Sequence, residues 1–456
     1  MKLKLWLAMG ALLLTGWTSG KAAQAKEFFI KPGNRVVFYG DSITEQRYYP
    51  VAVQTFIRTR FPNLHVRFVD SGVGGDRVTG GWAGGIDERL KRDVFPFKPT
   101  VVTIMLGMND ASYRPFNEHI FTTYKNGYRH IIQSLKAHLP GVRIVLIGPS
   151  PWDNYSQRKG YTYNQHHLPG SYNDVLIRYS QFVKKLAAQD HLLFVNFNTP
   201  LVKLIQAAVK INPQMATHII PGQCHPSATG QMIMAQTLLQ AWGAPATVAA
   251  VHISAKDKTV VATKNTAVTN LAVAPHQIAW TELDQSLPYP MMTLHAAWPQ
   301  FPPVFAGWTG PQQNMHAVNP LAAMVLKLAH TYQVLDREPL QVSGLAAGRY
   351  QLRINHKSVG IFSAGQLSKG INLARCNTPM MSQAYHVLQL VWQQTQYRFV
   401  VWRNYQLPLP SLGGPRIEKA GGKLVAAMYG HWQHMDAAQY AAAKPLADHY
   451  SLTAVK

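Results

Sequence analysis

Residues 36–44 read VVFYGDSIT. An apolar, β-branched run ends in a glycine, and the polar pair Asp41-Ser42 follows at once. A short run of this kind, bounded by turn residues, reads as a strand buried on both faces. Four more follow in the first half of the chain: HVRFVD (65–70), TVVTIML (100–106), VRIVLIG (142–148) and LLFVNF (192–197). Between the runs, apolar residues recur at helical spacing. Tyr49, Val53, Phe56 and Ile57 form one such face, and Phe121, Tyr124, Tyr128, Ile131, Ile132 and Leu135 another. Two later faces contain Tyr172, Leu176, Tyr179, Phe182, Val183 and Leu186, and then Met232, Ala235, Leu238 and Leu239. Strand alternating with helix predicts a parallel sheet covered on both sides. In such sheets ligands bind beyond the carboxyl ends of the strands, so the loops after each run carry the functional interest.

After the first run, Gly40 permits a sharp turn and leaves Ser42 at the sheet edge. A helix starting there aims its N–H groups at the loop and favours developing negative charge. The plain alternative is a helix cap, since Asp and Ser cap well. After the second run comes SGVGGDRVTGG (71–81). The spacing fails the dinucleotide fingerprint, because Arg77 stands where its third glycine belongs. A free backbone N–H at Gly75 is instead a donor for an oxyanion. After the third run, LGMNDAS (106–112) carries Asn109, whose amide N–H₂ is a second donor of that kind, or else part of an Asn-Asp turn. The last loop is IIPGQCHPSATG (219–230). There Pro226 restricts the backbone at His225 and holds the imidazole where a helix begins. Taken singly, a histidine there is more often structural.

The ordered set Gly40-Asp41-Ser42, Gly75, Gly107-Met108-Asn109-Asp110 and His225-Pro226 resembles the GDSL, or SGNH, hydrolase family. The resemblance spans roughly residues 33–245. It implies an α/β fold, a flavodoxin-like three-layer α/β/α sandwich with a parallel sheet, and ester hydrolysis by a serine nucleophile. By that resemblance Ser42 attacks, His225 is the base, and the oxyanion hole consists of the Ser42 N–H, the Gly75 N–H and the Asn109 side chain. Serine is a weak nucleophile until a neighbouring imidazole takes its proton. The family usually places an Asp three residues before the His, and here that residue is Gly222. The expected substitute is a main-chain carbonyl near Gly222, or an acid from elsewhere such as Asp153 in GPSPWDNY (148–155). The loop aromatics Trp82, Trp152 and Tyr155 could stack on sugar faces through their apolar surface or could equally serve the core. Family substrates then range from acetylated carbohydrate, the favoured expectation, to lipid and lysophospholipid. A glycan-binding fold with weakened catalysis is the contrasting reading.

The bulk composition suits a globular chain of two domains. Of 456 residues, 47% are hydrophobic and only 14% charged, which argues against disorder. Residues 1–25, with Lys2 and Lys4 ahead of an apolar run and ending Ala23-Gln24-Ala25, have the layout of a secretion signal. The run is too short to span a bilayer. A secreted or periplasmic protein without a transmembrane segment after signal removal is the expectation. The formal charge of +23 fits a solvated basic surface or an affinity for anionic glycans or headgroups. Nucleic acid is not expected as a partner; a small-molecule or polysaccharide ester is. No metal or organic cofactor is implied, and nothing in the sequence sets the oligomeric state. Two cysteines, Cys224 and Cys376, permit one disulfide at most; a thiol nucleophile at Cys224 is the minor alternative to Ser42.

The expected division is 1–25 signal, 26–245 catalytic and 246–456 a C-terminal region of mixed strands and helices. In that last part, the turns Ala-Ala-Gly (346–348) and Asn-His-Lys (355–357) suggest hairpins. A helix is expected near 320–335. PHQIAWTELDQSLPYPMM (275–292) and AAWPQFPPVFAGW (296–308) read as long excursions covering the first domain.

Overall fold

The computed structural model describes residues 27–156, 172–291 and 320–455, together with the backbone of 162–163 and 166–167. The expected signal (1–25), and the stretch 296–308 read as an excursion, lie outside the described residues. Five strands form the first sheet: β1 (Arg35–Gly40), β2 (Arg67–Gly72), β3 (Val101–Met105), β4 (Arg143–Gly148) and β5 (Leu193–Asn196). Their order is β2-β1-β3-β4-β5, with every pair parallel. Val36, Val37, Phe38 and Tyr39 of β1 are all buried, as are Val101 to Met105 of β3. Burial on both faces is the reason these strands are continuous apolar runs rather than alternating ones.

Helices α1 (Ser42–Glu45), α2 (Tyr48–Arg60), α3 (Ile86–Asp93), α4 (Glu118–His138), α5 (Tyr172–Gln189), α6 (Asn198–Ile211) and α7 (Ala228–Ala241) fill the crossovers. The expected apolar faces point inward: Tyr124, Tyr128, Ile131, Ile132 and Leu135 of α4 are buried, and so are Tyr172, Leu176, Tyr179, Val183 and Leu186 of α5. The strand order reverses direction between β1 and β3. That reversal opens a crevice beyond their carboxyl ends, where flavodoxin-like sheets bind ligands. Gly40 pairs in register with Met105 and with Gly72, so the loops after β1, β2 and β3 leave the sheet at one level.

The C-terminal region forms two further sheets. One has the order β7 (Thr259–Lys264), β6 (Ala250–Ser254), β10 (Pro339–Ser343) and the two-residue strand Ile371–Asn372. The other runs β8 (Thr266–Ala274), β9 (Gln277–Asp284), β13 (Ala447–Val455), β11 (Arg349–Ile354) and β12 (Lys357–Ser363). Two expectations are corrected here. QIAWTELD (277–284) is a strand with alternating burial, not an excursion. Ala346–Gly348 joins β10 to β11, which belong to different sheets, so it is a crossing between sheets rather than a hairpin turn. Asn355 and His356, both at positive φ, do make the expected hairpin between β11 and β12. The helices of this region agree with the expected mix of strands and helices. Beyond α8 (Pro320–Leu328), in the expected place, the chain builds α9 (Pro379–Val400) and the 30-residue α10 (Gly414–Ala443).

Those two helices return to the first domain. Gln54 and Arg58 of α2 bond Gln394 of α9 and Asp436 and Gln439 of α10. Arg398 of α9 donates to the Asp70 carbonyl and to Ser71 Oγ on β2. Trp402 Nε1 donates to Asp93 Oδ1 of α3 at 2.7 Å. Residues 285–291 also lie on α2, with Leu287 N–H donating to the Thr59 carbonyl and the Tyr289 ring edge-on to Phe56. The two parts share one continuous apolar core.

Candidate active site

Four loops converge at the crevice beyond β1 and β3. On the first, Asp41 caps α1 by accepting from the Ile43 N–H at 3.0 Å, and this sets Ser42 as the first helical residue. Burial pushes the Asp41 carboxyl up to about 8. Ser42 itself is 9% exposed. On the last loop, the turn 219–227 is closed by Ser227 N–H to the Ile219 carbonyl and Gln223 N–H to the Ile220 carbonyl. Ser227 then caps α7. The result is a hydrogen bond of 2.9 Å between His225 Nε2 and Ser42 Oγ, groups 183 residues apart in sequence. Burial lowers the His225 imidazole to about 4, so the ring is neutral near pH 7 and able to accept a proton.

The second and third loops bring the oxyanion candidates alongside. Gly75 has φ +76, a conformation that glycine adopts without strain. Its N–H makes no hydrogen bond among the described residues. A Cβ built on Gly74 would stand 3.9 Å from Ser42 Cβ, which puts the loop beside the serine. Asn109 is 7% exposed. Its Nδ2 donates to the Asp76 carbonyl at 3.0 Å, and its Oδ1 accepts from Tyr113 Oη at 2.8 Å. That arrangement fixes which end of the amide is N–H₂ and leaves one of its two N–H bonds to donate elsewhere. Ser112 and Tyr113 both hold left-handed φ, at 56° and 52°. Strain of this kind persists only where its surroundings over-determine it.

Below the loops lies a charged foundation. Asp76 and Arg89 form a fully buried pair at 2.7 Å, and Arg89 also donates to the Asp93 carboxylate and the Ser71 carbonyl. Asp110 Oδ1 accepts from the Val78 N–H at 2.8 Å, and burial pushes its carboxyl up to about 7. These bonds pin the glycine-rich loop at both ends.

The residues considered for orienting His225 behave differently. Gly222 sits at φ +69, with open space where a Cβ would go. A side chain there would be strained by the backbone rather than crowded, as it is at the next residue, Gln223, whose φ is 68. The Gly222 carbonyl accepts from the Cys224 N–H at 2.9 Å. Asp153 does not bring its carboxylate to the imidazole. It accepts from the N–H groups of Tyr155 and Ser156 and from the Ser156 hydroxyl, all within its own turn. Its backbone pairs with the His loop instead: Asp153 N–H donates to the Gln223 carbonyl, and Gln223 Nε2 to the Asp153 carbonyl.

Of the three aromatics, Trp152 is buried between Tyr113 and Tyr172 and presents no stacking face to solvent. Trp82 is 55% exposed and Tyr155 is 36% exposed. Cys224 and Cys376 are both free thiols. Among the described residues, no group of three or more His, Cys, Asp or Glu side chains is arranged to hold a metal ion. No helix among them is long and apolar enough to cross a membrane.

Three supporting residues escaped the sequence reading. Gln231 of α7 accepts from the Tyr49 N–H and donates to Gln46 Oε1 and the Pro226 carbonyl, bridging the serine and histidine loops. Tyr113 orients Asn109. Glu45 accepts from the Gly74 N–H at 2.8 Å. Each is polar and buried or half-buried on an otherwise apolar or glycine-rich stretch, a signal visible only once the elements are placed.

Residues 38–233 match the sequence model of the GDSL-like lipase/acylhydrolase family. This part of the chain belongs to that family. The chain is thus an ester-bond hydrolase. The acetylxylan esterase of Geobacillus stearothermophilus is 26% identical over 243 residues, covering 47% of this chain and 96% of that protein. A solved structure of a gut microbial diltiazem-metabolizing enzyme is 24% identical, with a TM-score of 0.77, and the match covers 95% of this chain and 100% of that one. That likeness extends the shared fold beyond the GDSL-like domain into the C-terminal region.

Proposed function

We propose that the chain is an exported serine esterase that removes short acyl groups, acetyl above all, from carbohydrate. The observation that carries the mechanism is the 2.9 Å hydrogen bond between Ser42 Oγ and His225 Nε2. In the reaction His225 Nε2 takes the Ser42 proton as Oγ attacks the ester carbonyl, and the carbonyl oxygen becomes an oxyanion. The Ser42 and Gly75 N–H groups and the remaining Asn109 N–H donate to it, in a pocket where preorganised donors act strongly. The imidazolium then returns its proton to the leaving alcohol. Water, deprotonated by His225, cleaves the acyl-serine, and the serine is regenerated. The His225 loop is held to Asp153 by one main-chain bond, Asp153 N–H to the Gln223 carbonyl, and by the Gln223 side-chain amide on the Asp153 carbonyl, with a glycine rather than a carboxylate three residues upstream. Residues 26–245 act as the catalytic domain, and 246–456 as an accessory region packed upon it.

The preference for acetylated carbohydrate is supported by the acetylxylan esterase similarity and by the exposed ring of Trp82 at the rim. The test joins two measurements. A fluorophosphonate probe is expected to label Ser42 and no other serine. A panel of esters of rising acyl length, on simple alcohols and on sugars, is expected to be hydrolysed best as sugar acetates and not at all by Ser42→Ala. Hydrolysis surviving in that variant would refute the serine mechanism. A preference for long acyl chains would move the assignment to a lipase or lysophospholipase.

A further inference from the structure

We propose that Trp82 is a positioning residue for the Gly75 oxyanion donor, and that Arg403 of the C-terminal region holds it in that task. This rests on the Ser42, His225 and Gly75 roles just given. The peptide bond between Gly74 and Gly75 is planar and trans, so its carbonyl and its N–H point in opposite directions. Trp82 Nε1 donates to that carbonyl, on Gly74, at 2.7 Å. Fixing the carbonyl fixes the plane, and the plane fixes where the Gly75 N–H points. The preceding peptide is held as well, because the Gly74 N–H donates to Glu45 Oε2 at 2.8 Å. Glu45 stands on α1, three residues after Ser42. One grip therefore sets the oxyanion donor relative to the nucleophile. It is needed there, since two adjacent glycines let a free peptide turn at little cost.

Among the described residues Trp82 is one of the more exposed large apolar side chains, yet its Nε1 is committed to the main chain rather than to solvent. Its ring lies beneath the Arg403 guanidinium, 4.2 Å from centroid to Cζ, and edge-on to Trp402 at 6.4 Å. Arg403 Nη1 also stands 3.7 Å from Glu45 Oε1. Thus one arginine from outside the GDSL-like domain touches both halves of the grip. It is carried on a π-helical turn, Val401–Gln406, a wide-turn geometry frequent at functional sites.

Trp82→Phe keeps a ring beneath Arg403 but removes the N–H. Removing an oxyanion donor outright costs about 10²–10³ in rate, and loosening one costs less. The expected result is a fall in kcat of roughly 10-fold with KM within about twofold, because the donor acts on the transition state. The unfolding midpoint should stay at the wild-type value. Arg403→Gln should lower kcat in the same direction by a smaller factor. Unchanged kcat in Trp82→Phe overturns the proposal. A loss confined to KM assigns Trp82 to substrate binding alone and also overturns it, as does a kcat loss matched by a lowered unfolding midpoint. Ser42→Ala in the same assay separates the two levels of inference. If that variant still hydrolyses ester, the serine reading fails; if it is dead while Trp82→Phe keeps full kcat, only the positioning role fails.

Discussion

Arg58 on α2 is fully buried and donates to Asp436 and Gln439 on α10, more than 370 residues later. Its guanidinium lies 4.0 Å from the Tyr440 ring centroid, and its Nη1 donates to the Val66 carbonyl. The C-terminal helices thus neutralise a charge that the first domain buries. Burial pulls the Arg58 guanidinium down to about 10 even with Asp436 beside it, whose charge opposes the shift. Removing one partner of a buried pair strands the other, at a cost of about 3–5 kcal/mol. Asp436→Ala is expected to lose stability of that order in urea unfolding, whereas substituting the exposed Lys419 should not. A change below about 1 kcal/mol would show that solvent reaches Arg58.

The donor side of the site gives a graded series. Asn109→Ala removes a proposed oxyanion donor and should reduce kcat by about 10²–10³ with little change in KM. Tyr113→Phe leaves the amide in place but deletes the 2.8 Å bond to Asn109 Oδ1. It should cost roughly 10-fold, since the hydrogen bond sets orientation rather than supplying charge. Steady-state kinetics on one acetyl ester decide this. A Tyr113→Phe loss as large as that of Asn109→Ala would make the tyrosine a direct participant.

The sequence carried the first sheet well and the last third poorly, for physical reasons. All five runs became strands, because parallel strands buried on both faces must be continuously apolar, and VVTIM can hardly be anything else. The Ser42, Gly75, Asn109 and His225 loops were readable because each follows an element that announces itself. By contrast, α9 buries Met380, Met381, Ala384, Val387 and Val391 among partners on several sides, which blurs the helical period. The α10 sequence contains Gly414, Gly421, Gly422 and Gly430, which weaken its helical signal; tertiary contacts outweigh propensities of that size. Residues 277–284 alternate as a strand should, but the prolines that follow disguised them. Trp152 follows β4 and reads equally as a rim or a core residue; the packing of Tyr113 and Tyr172 that buries it has no local signature. Nor does the pairing of Arg58 with Asp436.

Thiol chemistry gives an independent check on the serine assignment. Cys224 adjoins the histidine, but it is buried, and burial pushes its thiol up to about 12. Burial also pushes Cys376 up, to about 11. The thiolate is the reactive form, so a disulfide-exchange reagent at pH 8 should react slowly with native protein and titrate two thiols after denaturation. Reductant should leave the unfolding midpoint unchanged, because both cysteines are free. Cys224→Ala should retain hydrolysis. Loss of activity in that variant with folding intact would point to the thiol instead of Ser42.

The pH profile follows from the same burial. A base must be unprotonated to act, so activity is present above the imidazole pKa and lost below it. Burial lowers His225 to about 4, against about 6.5 for a free imidazole. The acid limb of kcat/KM, which reports the free enzyme, is therefore expected far below the ordinary histidine range, with a flat profile through neutrality. Stability carries the matching sign. Between the two pKa values the unfolded chain binds more protons at this position than the folded one, so His225 makes stability rise with pH across that window. Unfolding of wild type and His225→Gln across pH 4–7 should show a shallower slope in the variant. An acid limb centred at the ordinary histidine value, with equal slopes for the two proteins, would mean that His225 is solvated and that the part-buried 2.9 Å contact does not describe the working enzyme.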